Sequence, residues 1–312
     1  MKPELRVLLF LVVVATVFVT AGNFLIAALY RRLRKLPKRT DRAYLYTRRL
    51  FLFLATVGII CVLYGFYEPY RPEVTFARVA TKKFAKGSSQ VRVVHISDVH
   101  SDPQPRLEPR LPGIIASQKP DLIVFTGDAA NRGDHSAPVF RSLMFELAKI
   151  APVYAVRGNW DMRTGALDEL YAGTGVRVLE REVVPVEVNG QKVWTGGFPA
   201  EYGVDIHEMF APAPKTEFRF LIHHYPDRGE AAADSNIDLM CAGHTHGGQV
   251  ALPFYGALIT MSRTDKQFES GLYRVKEMWL YVNRGIGMEG FGPRVRFWAR
   301  PEITVIDIVP AQ

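Results

Sequence analysis

The stretch Val91-Arg92-Val93-Val94-His95-Ile96-Ser97-Asp98-Val99-His100 decides how this 312-residue chain is organised. Its first six residues are mostly apolar and β-branched, the composition of a buried strand. It then breaks off into Asp98 and His100, two residue types that bind metal ions. Alternate side chains of an extended segment share a face, so these two reach toward the same point. The pattern recurs downstream. The apolar runs Leu122–Phe125, Val153–Val156, Phe218–Ile222 and Leu239–Cys241 each stop at a polar or glycine-rich loop, and helix-like stretches such as Ser136–Ile150 separate the early ones. This alternation predicts an α/β domain whose chemical groups sit just beyond strand ends. Val183–Val188, turning at Asn189-Gly190 into Lys192–Thr195, predicts a β-hairpin.

The other strand ends are loaded in the same way. They read Thr126-Gly127-Asp128, Arg157-Gly158-Asn159-Trp160-Asp161, His223-His224-Tyr225-Pro226-Asp227 and Gly243-His244-Thr245-His246-Gly247-Gly248-Gln249. Carboxylate oxygens and imidazole nitrogens without cysteine suit a divalent ion such as manganese, iron or zinc, and argue against a thiolate-held structural zinc. His244 and His246 repeat the alternation of Asp98 and His100.

The first part of the chain follows a different logic. Val7 to Tyr30 is a run of 24 uncharged residues, long enough at ~1.5 Å per residue to cross a ~30 Å hydrocarbon layer. A cleavable signal peptide has a shorter apolar run, so this one reads as a span. A second uncharged run of 18 residues, Leu50 to Tyr67, reads as another and ends in the interfacial aromatics Tyr64, Phe66, Tyr67 and Tyr70. Between them lies the basic loop 31–49, with nine Lys and Arg against Asp41 alone. Positive charge marks the cytoplasmic side, which puts everything after Tyr67 on the exoplasmic face of a bacterial inner membrane. The expected layout is a two-span anchor at 1–67, a linker at 68–90 rich in Pro and Gly-Ser, and a catalytic domain at 91–312.

Composition excludes other classes. Residues 1–67 hold 11 of the 39 basic and 2 of the 31 acidic side chains, so the remainder is nearly neutral and offers no basic face for nucleic acid. Two spans without intramembrane charge offer no transport pathway. Cys61 and Cys241 fall in a span and a strand, positions unsuited to a shared disulfide.

D-x-H, GD, GN, a histidine after a strand, and GHTH in this order resemble the calcineurin-like metallophosphoesterases. The run Gly243 to Pro253 (GHTHGGQVALP) is similar to their bacterial membrane-associated phosphodiesterase branch, and the likeness extends over about residues 91–308, through Asn283-Arg284-Gly285-Ile286-Gly287 and Pro301-Glu302-Ile303. The resemblance implies an αββα sandwich, two facing β-sheets flanked by helices, with a binuclear centre at the strand ends. One metal would be held by Asp98, His100, Asp128 and His246, the other by Asp128, Asn159, His224 and His244, with Asp128 bridging. His224 is preferred over His223 because the family's histidine is followed by one residue and then proline, as His224-Tyr225-Pro226 is here. The cofactors implied are two divalent ions, manganese first, with iron, zinc or magnesium as alternatives. A hydroxide between them attacks phosphorus, and Asp128, Asn159 and His224 form the catalytic core.

The chain departs from the family at Trp160, where many relatives carry a histidine that protonates the leaving group. An indole cannot do this near neutral pH, which favours diesters or pyrophosphates with good leaving groups, or a proton from His223, His207 or His135. Trp160, His223 and Arg284 are candidate substrate contacts, and residues 199–216 a candidate lid. The expected function is a membrane-anchored phosphodiesterase or pyrophosphatase whose partners are the lipid bilayer and a phosphorylated, lipid-linked substrate. The alternatives are a UDP-2,3-diacylglucosamine pyrophosphatase of lipid A synthesis on the cytoplasmic face, and a metal-binding regulatory membrane protein whose catalysis Trp160 has impaired.

Overall fold

The computed structural model describes residues 2–131, 135–163, 169–289 and 294–311. The chain divides into two compact units, Met1–Tyr67 and Glu68–Gln312.

The first unit is a pair of helices, α1 (Pro3–Leu33) and α2 (Arg42–Tyr67). Both are long and apolar enough to cross a membrane, and few of their side chains are buried within the protein. Phe24 meets Tyr44 and Phe51, and Phe18 lies over Gly58, so the helices run antiparallel. The basic segment 31–49 is only partly a loop. Arg31 and Arg32 close α1, where positive charge suits the carbonyl end of a helix, and Arg42, Arg48 and Arg49 belong to α2.

From Glu68 the second unit runs β1 (Glu73–Thr81), β2 (Val91–Ile96), α3 (Leu111–Ser117), β3 (Leu122–Phe125), α4 (Ala137–Ala148), β4 (Val153–Ala155), α5 (Asn159–Arg163) and β5 (Arg177–Val178). It continues as β6 (Glu182–Val188), β7 (Gln191–Gly197), α6 (Ile206–Met209), β8 (Phe218–Ile222), α7 (Gly229–Asp234) and β9 (Leu239–Ala242). The short pair β10 (Ala251–Leu252) and β11 (Gly256–Ala257) precedes β12 (Gly271–Val275), β13 (Met278–Val282) and β14 (Glu302–Pro310). One six-stranded sheet has the order β1-β14-β2-β3-β4-β5, the other β12-β13-β9-β8-β7-β6. In the first, β2 to β5 are parallel; in the second, β13, β9, β8 and β7 are.

Period-two alternation decides which side chains go where. Val91 and Val93, Leu122 and Val124, Phe218, Phe220 and Ile222, and Leu239 and Cys241 meet between the two sheets. Their neighbours Val94, Ile96, Ile123 and Phe125 pack under α3 and α4, while Leu221, Met240 and Ala242 pack under α6 and α7. Both faces of the central strands are therefore buried, and the expected two-sheet sandwich flanked by helices is the fold observed. The expected hairpin is β6–β7, turning at Asn189 (φ 52°) and Gly190 (φ 74°).

The linker expected at 68–90 is corrected. Glu73–Thr81 forms an edge strand paired along its whole length with β14, from Glu73 opposite Glu302 to Thr81 opposite Pro310. The β-branched residues Val74, Thr75, Val79 and Thr81 favour this strand, and Pro69 and Pro72 stop short of it.

Candidate metal centre

Every sequence-identified ligand leaves the carboxyl end of a strand. Asp98 and His100 follow β2, Asp128 follows β3, Asn159 follows β4, His224 follows β8, and His244 and His246 follow β9. The structure gathers six of them into two groups, Asp98 with His100 and His246, and Asp128 with His224 and His244. Within each group the donor atoms lie within 4.8 Å of one another. Asp128 stands between the groups, with Oδ2 3.5 Å from His100 Nε2 and 3.3 Å from His224 Nε2. Asn159 Oδ1 is 2.9 Å from His224 Nε2. His246 Nε2 is 3.4 Å from Asp98 Oδ1.

This convergence requires strand ends to approach closely. A Cβ on Gly158 would lie 2.1 Å from Asp128 Oδ1, and one on Gly243 only 1.9 Å from Ser97 Oγ and 2.2 Å from Asp98 Oδ2. Asp98, His100, Asp128, His244 and His246 all take the left-handed backbone, with φ between 42° and 70°. Such strain persists only where the surroundings over-determine it. They do so here: Asp161 accepts from the backbone N–H groups of Asp128 (2.9 Å), Ala129 (2.8 Å) and Gly158 (2.8 Å), and Trp160 N–H donates to Asp128 Oδ1 at 2.8 Å.

The remaining ring nitrogens are anchored behind the site. His224 Nδ1 donates to the Thr126 carbonyl (2.8 Å), and His100 Nδ1 pairs with Asn131 Oδ1 (3.0 Å). Wholly buried Arg296 approaches His246 Nδ1 at 3.2 Å. Burial holds His100 and His244 near pKa 4, and so in the neutral form that binds metal. Burial also opposes charge on Asp128 and His224, but their mutual attraction outweighs it, lowering the carboxyl and raising the imidazole, whose proton a metal ion at the same nitrogen would displace. Asp98 is pushed up to about 7 by burial, against the pull of His224.

The donor set fits divalent cations. His100 Nε2 and His246 Nε2 are buried without a hydrogen-bond partner among the described residues, although buried polar atoms are ordinarily satisfied. Both face the carboxylates of the centre.

Beside the centre lies a cavity of about 420 Å³, reached by Asn159, His244 and Glu289. Arg163, Arg228, Arg263 and Tyr225 also line it, and none of them was singled out from sequence. Glu289 lies 4.0 Å from His246 Nε2 and accepts the Trp160 indole N–H at 2.8 Å. The sequence holds no local signal for Glu289, because its position depends on the loop after β13. Trp160 itself is half-buried, its ring edge-on to His100 at 5.7 Å.

Two proposed substrate contacts are corrected. Arg284 is engaged by Glu73 (2.8 Å) and Glu302 (3.3 Å), which close β1 and β14 against the end of β13. His223 is wholly buried, stacked on Phe198 at 4.2 Å with Nδ1 against the Phe198 carbonyl. Neither lines the cavity. His207 and His135 are exposed and do not line it either. In the stretch 199–216, Tyr202 lines the cavity but Phe210 is locked in the core.

Comparison with known proteins gives a consistent result. Residues 91–248 match the calcineurin-like phosphoesterase family. The chain is 30% identical over 254 residues to YkuE of Bacillus subtilis, an uncharacterized metallophosphoesterase, covering 78% of this chain and 87% of that protein. It is 30% identical over 286 residues to the phosphodiesterase YaeI of Escherichia coli, covering 84% and 99%. A transmembrane protein with a metallophosphoesterase domain from Danio rerio is 26% identical, covering 83% and 62%.

Proposed function

The chain belongs to the calcineurin-like phosphoesterases, and on that premise we propose that it is a membrane-anchored, binuclear-metal phosphohydrolase that cleaves a phosphodiester or pyrophosphate bond of a lipid-linked substrate. The observation that carries this reading is the pair of His/Asp groups with Asp128 standing between them, in which His100 Nε2 and His246 Nε2 are buried without a hydrogen-bond partner among the described residues. Asp98, His100, Asp128 and His246 would hold one ion, and Asp128, Asn159, His224 and His244 the other. Two divalent ions there, manganese foremost, supply Lewis acidity for attack of water on phosphorus and charge to neutralise the phosphoryl oxygens.

The chain's own groups do the rest. Thr126 and Asn131 fix the ring orientations of His224 and His100. Asp161 clamps the backbone that presents Asp128. Trp160 contributes no proton, since its indole N–H is spent on Glu289. The centre is therefore suited to leaving groups that depart without protonation, such as a phosphate or an acidic phenol. The E. coli relative's description as a phosphodiesterase supports the same bond class.

The membrane reading rests on the two apolar helices, on the basic segment between them, and on the Danio rerio relative. By the positive-inside tendency, the basic segment supports an exoplasmic catalytic unit at a bacterial inner membrane. The test is turnover by the purified full chain with manganese on bis-p-nitrophenyl phosphate, p-nitrophenyl phosphate and UDP-2,3-diacylglucosamine. Preferential cleavage of the diester or the pyrophosphate supports the reading. Preferential hydrolysis of the monoester p-nitrophenyl phosphate overturns it.

A further inference from the structure

Three exposed apolar residues of the catalytic unit share an unusual backbone. Phe254 is fully exposed, Met261 is 66% exposed and Trp298 is 59% exposed. All three adopt the left-handed region, at φ 63°, 59° and 56°. Glycine or asparagine would relieve the strain at such positions, and a polar side chain would relieve the exposure. A face meant only for water gains nothing from Phe, Met and Trp there.

The segments that carry these residues are joined by hydrogen bonds. Phe254 and half-exposed Tyr255 form the tip of the β10–β11 hairpin, which grows directly out of the metal-binding loop. The root of that hairpin is tied to the segment before Trp298, because Phe297 N–H donates to the Gln249 carbonyl (2.9 Å) and Ala251 N–H to the Phe297 carbonyl (2.8 Å). Met261 lines the catalytic cavity, and its carbonyl meets His244 Nε2 at 3.3 Å.

Chain connectivity says what covers the rim. Glu68 directly follows Tyr67, the last residue of the second apolar helix. Its buried carboxylate accepts the backbone N–H groups of Trp298 (3.0 Å) and Ala299 (2.6 Å). Trp298 is thus pinned to Glu68, the residue that follows that helix in sequence, and half-exposed Tyr70 lies two residues beyond Glu68. Basic groups accompany these aromatics, each also paired with a carboxylate: Lys266 Nζ lies 4.4 Å over the Tyr255 ring and pairs with Glu269, and Arg300 Nε donates to the Arg71 carbonyl while its guanidinium lies 3.6 Å from Glu73. Tryptophan, tyrosine and basic side chains together are the composition that settles at a lipid headgroup layer.

We propose that Phe254, Tyr255, Met261 and Trp298, continued by Tyr70, form an interfacial lipid-binding rim. It seats the mouth of the cavity on the bilayer surface, so that a phosphoester in a lipid headgroup reaches the metal centre without leaving the membrane. This inference rests on the membrane attachment proposed above.

The experiment uses the full chain in vesicles of phosphatidylethanolamine and phosphatidylglycerol whose acyl chains are brominated close to the headgroup. Bromine quenches nearby tryptophan. Most of the quenching should disappear in Trp298→Phe, a conservative change at an exposed site. Phe254→Ser should leave hydrolysis of soluble bis-p-nitrophenyl phosphate unchanged and lower hydrolysis of a vesicle-borne diester by about tenfold, the effect of losing one buried aromatic. Retention on vesicles through a carbonate wash without Trp298-dependent quenching overturns the rim while leaving the anchor intact. Dissociation of an oligomer by Phe254→Ser with lipid quenching unchanged also overturns it, in favour of a second copy as the occupant. Release by the wash brings down the anchor, and the rim with it. Quenching needs no turnover, so failure of the catalytic reading is read separately.

Discussion

Two sets of residues in the catalytic unit hold the left-handed backbone, and the contrast between them separates two uses of strain. Asp98, His100, Asp128, His244 and His246 are held at the strand ends by hydrogen bonds from neighbouring loops. Phe254, Met261 and Trp298 hold the same backbone with their side chains exposed, and what fixes Trp298 and Met261 is a few backbone hydrogen bonds. The left-handed conformation costs a non-glycine residue ~1–2 kcal/mol. In the first set the surrounding fold sustains that cost in order to converge carboxylates and imidazoles. In the second set the proposed rim would recover it by burying the side chains in lipid.

The contrast can be broken most severely at Gly158. An added Cβ would fall 2.1 Å from Asp128 Oδ1, so Gly158→Ala should displace the shared carboxylate. Misplacement of about 1 Å costs on the order of 10²-fold in turnover. Diester hydrolysis and bound metal, measured by elemental analysis, should fall together; full activity would mean that Asp128 has more freedom than its setting suggests.

A smaller effect is expected at Glu68, which ties the exposed set to the fold. Glu68→Gln retains only one acceptor oxygen for the two N–H groups of Trp298 and Ala299, and a buried donor left unpaired costs ~1–3 kcal/mol. Denaturant unfolding should show that loss, with faster amide exchange at Trp298. Phe254→Gly should act in the opposite direction, raising Tm in detergent by roughly 1–3 °C because the strained backbone is relieved. A clear drop in Tm would mean that Phe254 is supported within the protein, and the contrast between the two sets would dissolve.

The mildest test concerns Asp227, which fastens the loop carrying Met261. Burial raises its pKa, but donation from Ser262, Thr264 and the Arg263 N–H outweighs this and leaves the carboxyl below its ordinary value. A lowered folded pKa contributes stability above the unfolded value of ~3.9 and loses it as pH falls through the folded one. The stability difference between wild type and Asp227→Asn should therefore be largest above about pH 4 and fade below it. A difference that stayed constant down to pH 2 would show that ionisation of Asp227 is immaterial.

The strand ends were legible in the sequence because each carries its chemistry immediately after an apolar run, where period and composition change together. The strand Glu73–Thr81 was not, because Pro69, Pro72 and the Gly87-Ser88-Ser89 cluster drew attention from the β-branched residues between them. Arg284 has no sequence neighbour to pair with, because Glu73 reaches it only through the pairing of β1 with β14. His223 and His224 are adjacent and equally histidine, yet only the alternation of an extended strand sends one to the Phe198 stack and the other to Asp128. Glu289 and the cavity arginines were illegible, because loops distant in sequence bring them together.

Whether two ions share Asp128 in a working centre is read most directly from manganese stoichiometry taken alongside bis-p-nitrophenyl phosphate turnover for wild type and Asp128→Ala. About two equivalents should bind, with turnover, in the wild type, and both should be lost in the variant. Two equivalents bound without turnover of any diester or pyrophosphate, or turnover that survives the loss of Asp128, would contradict a working centre shared through Asp128.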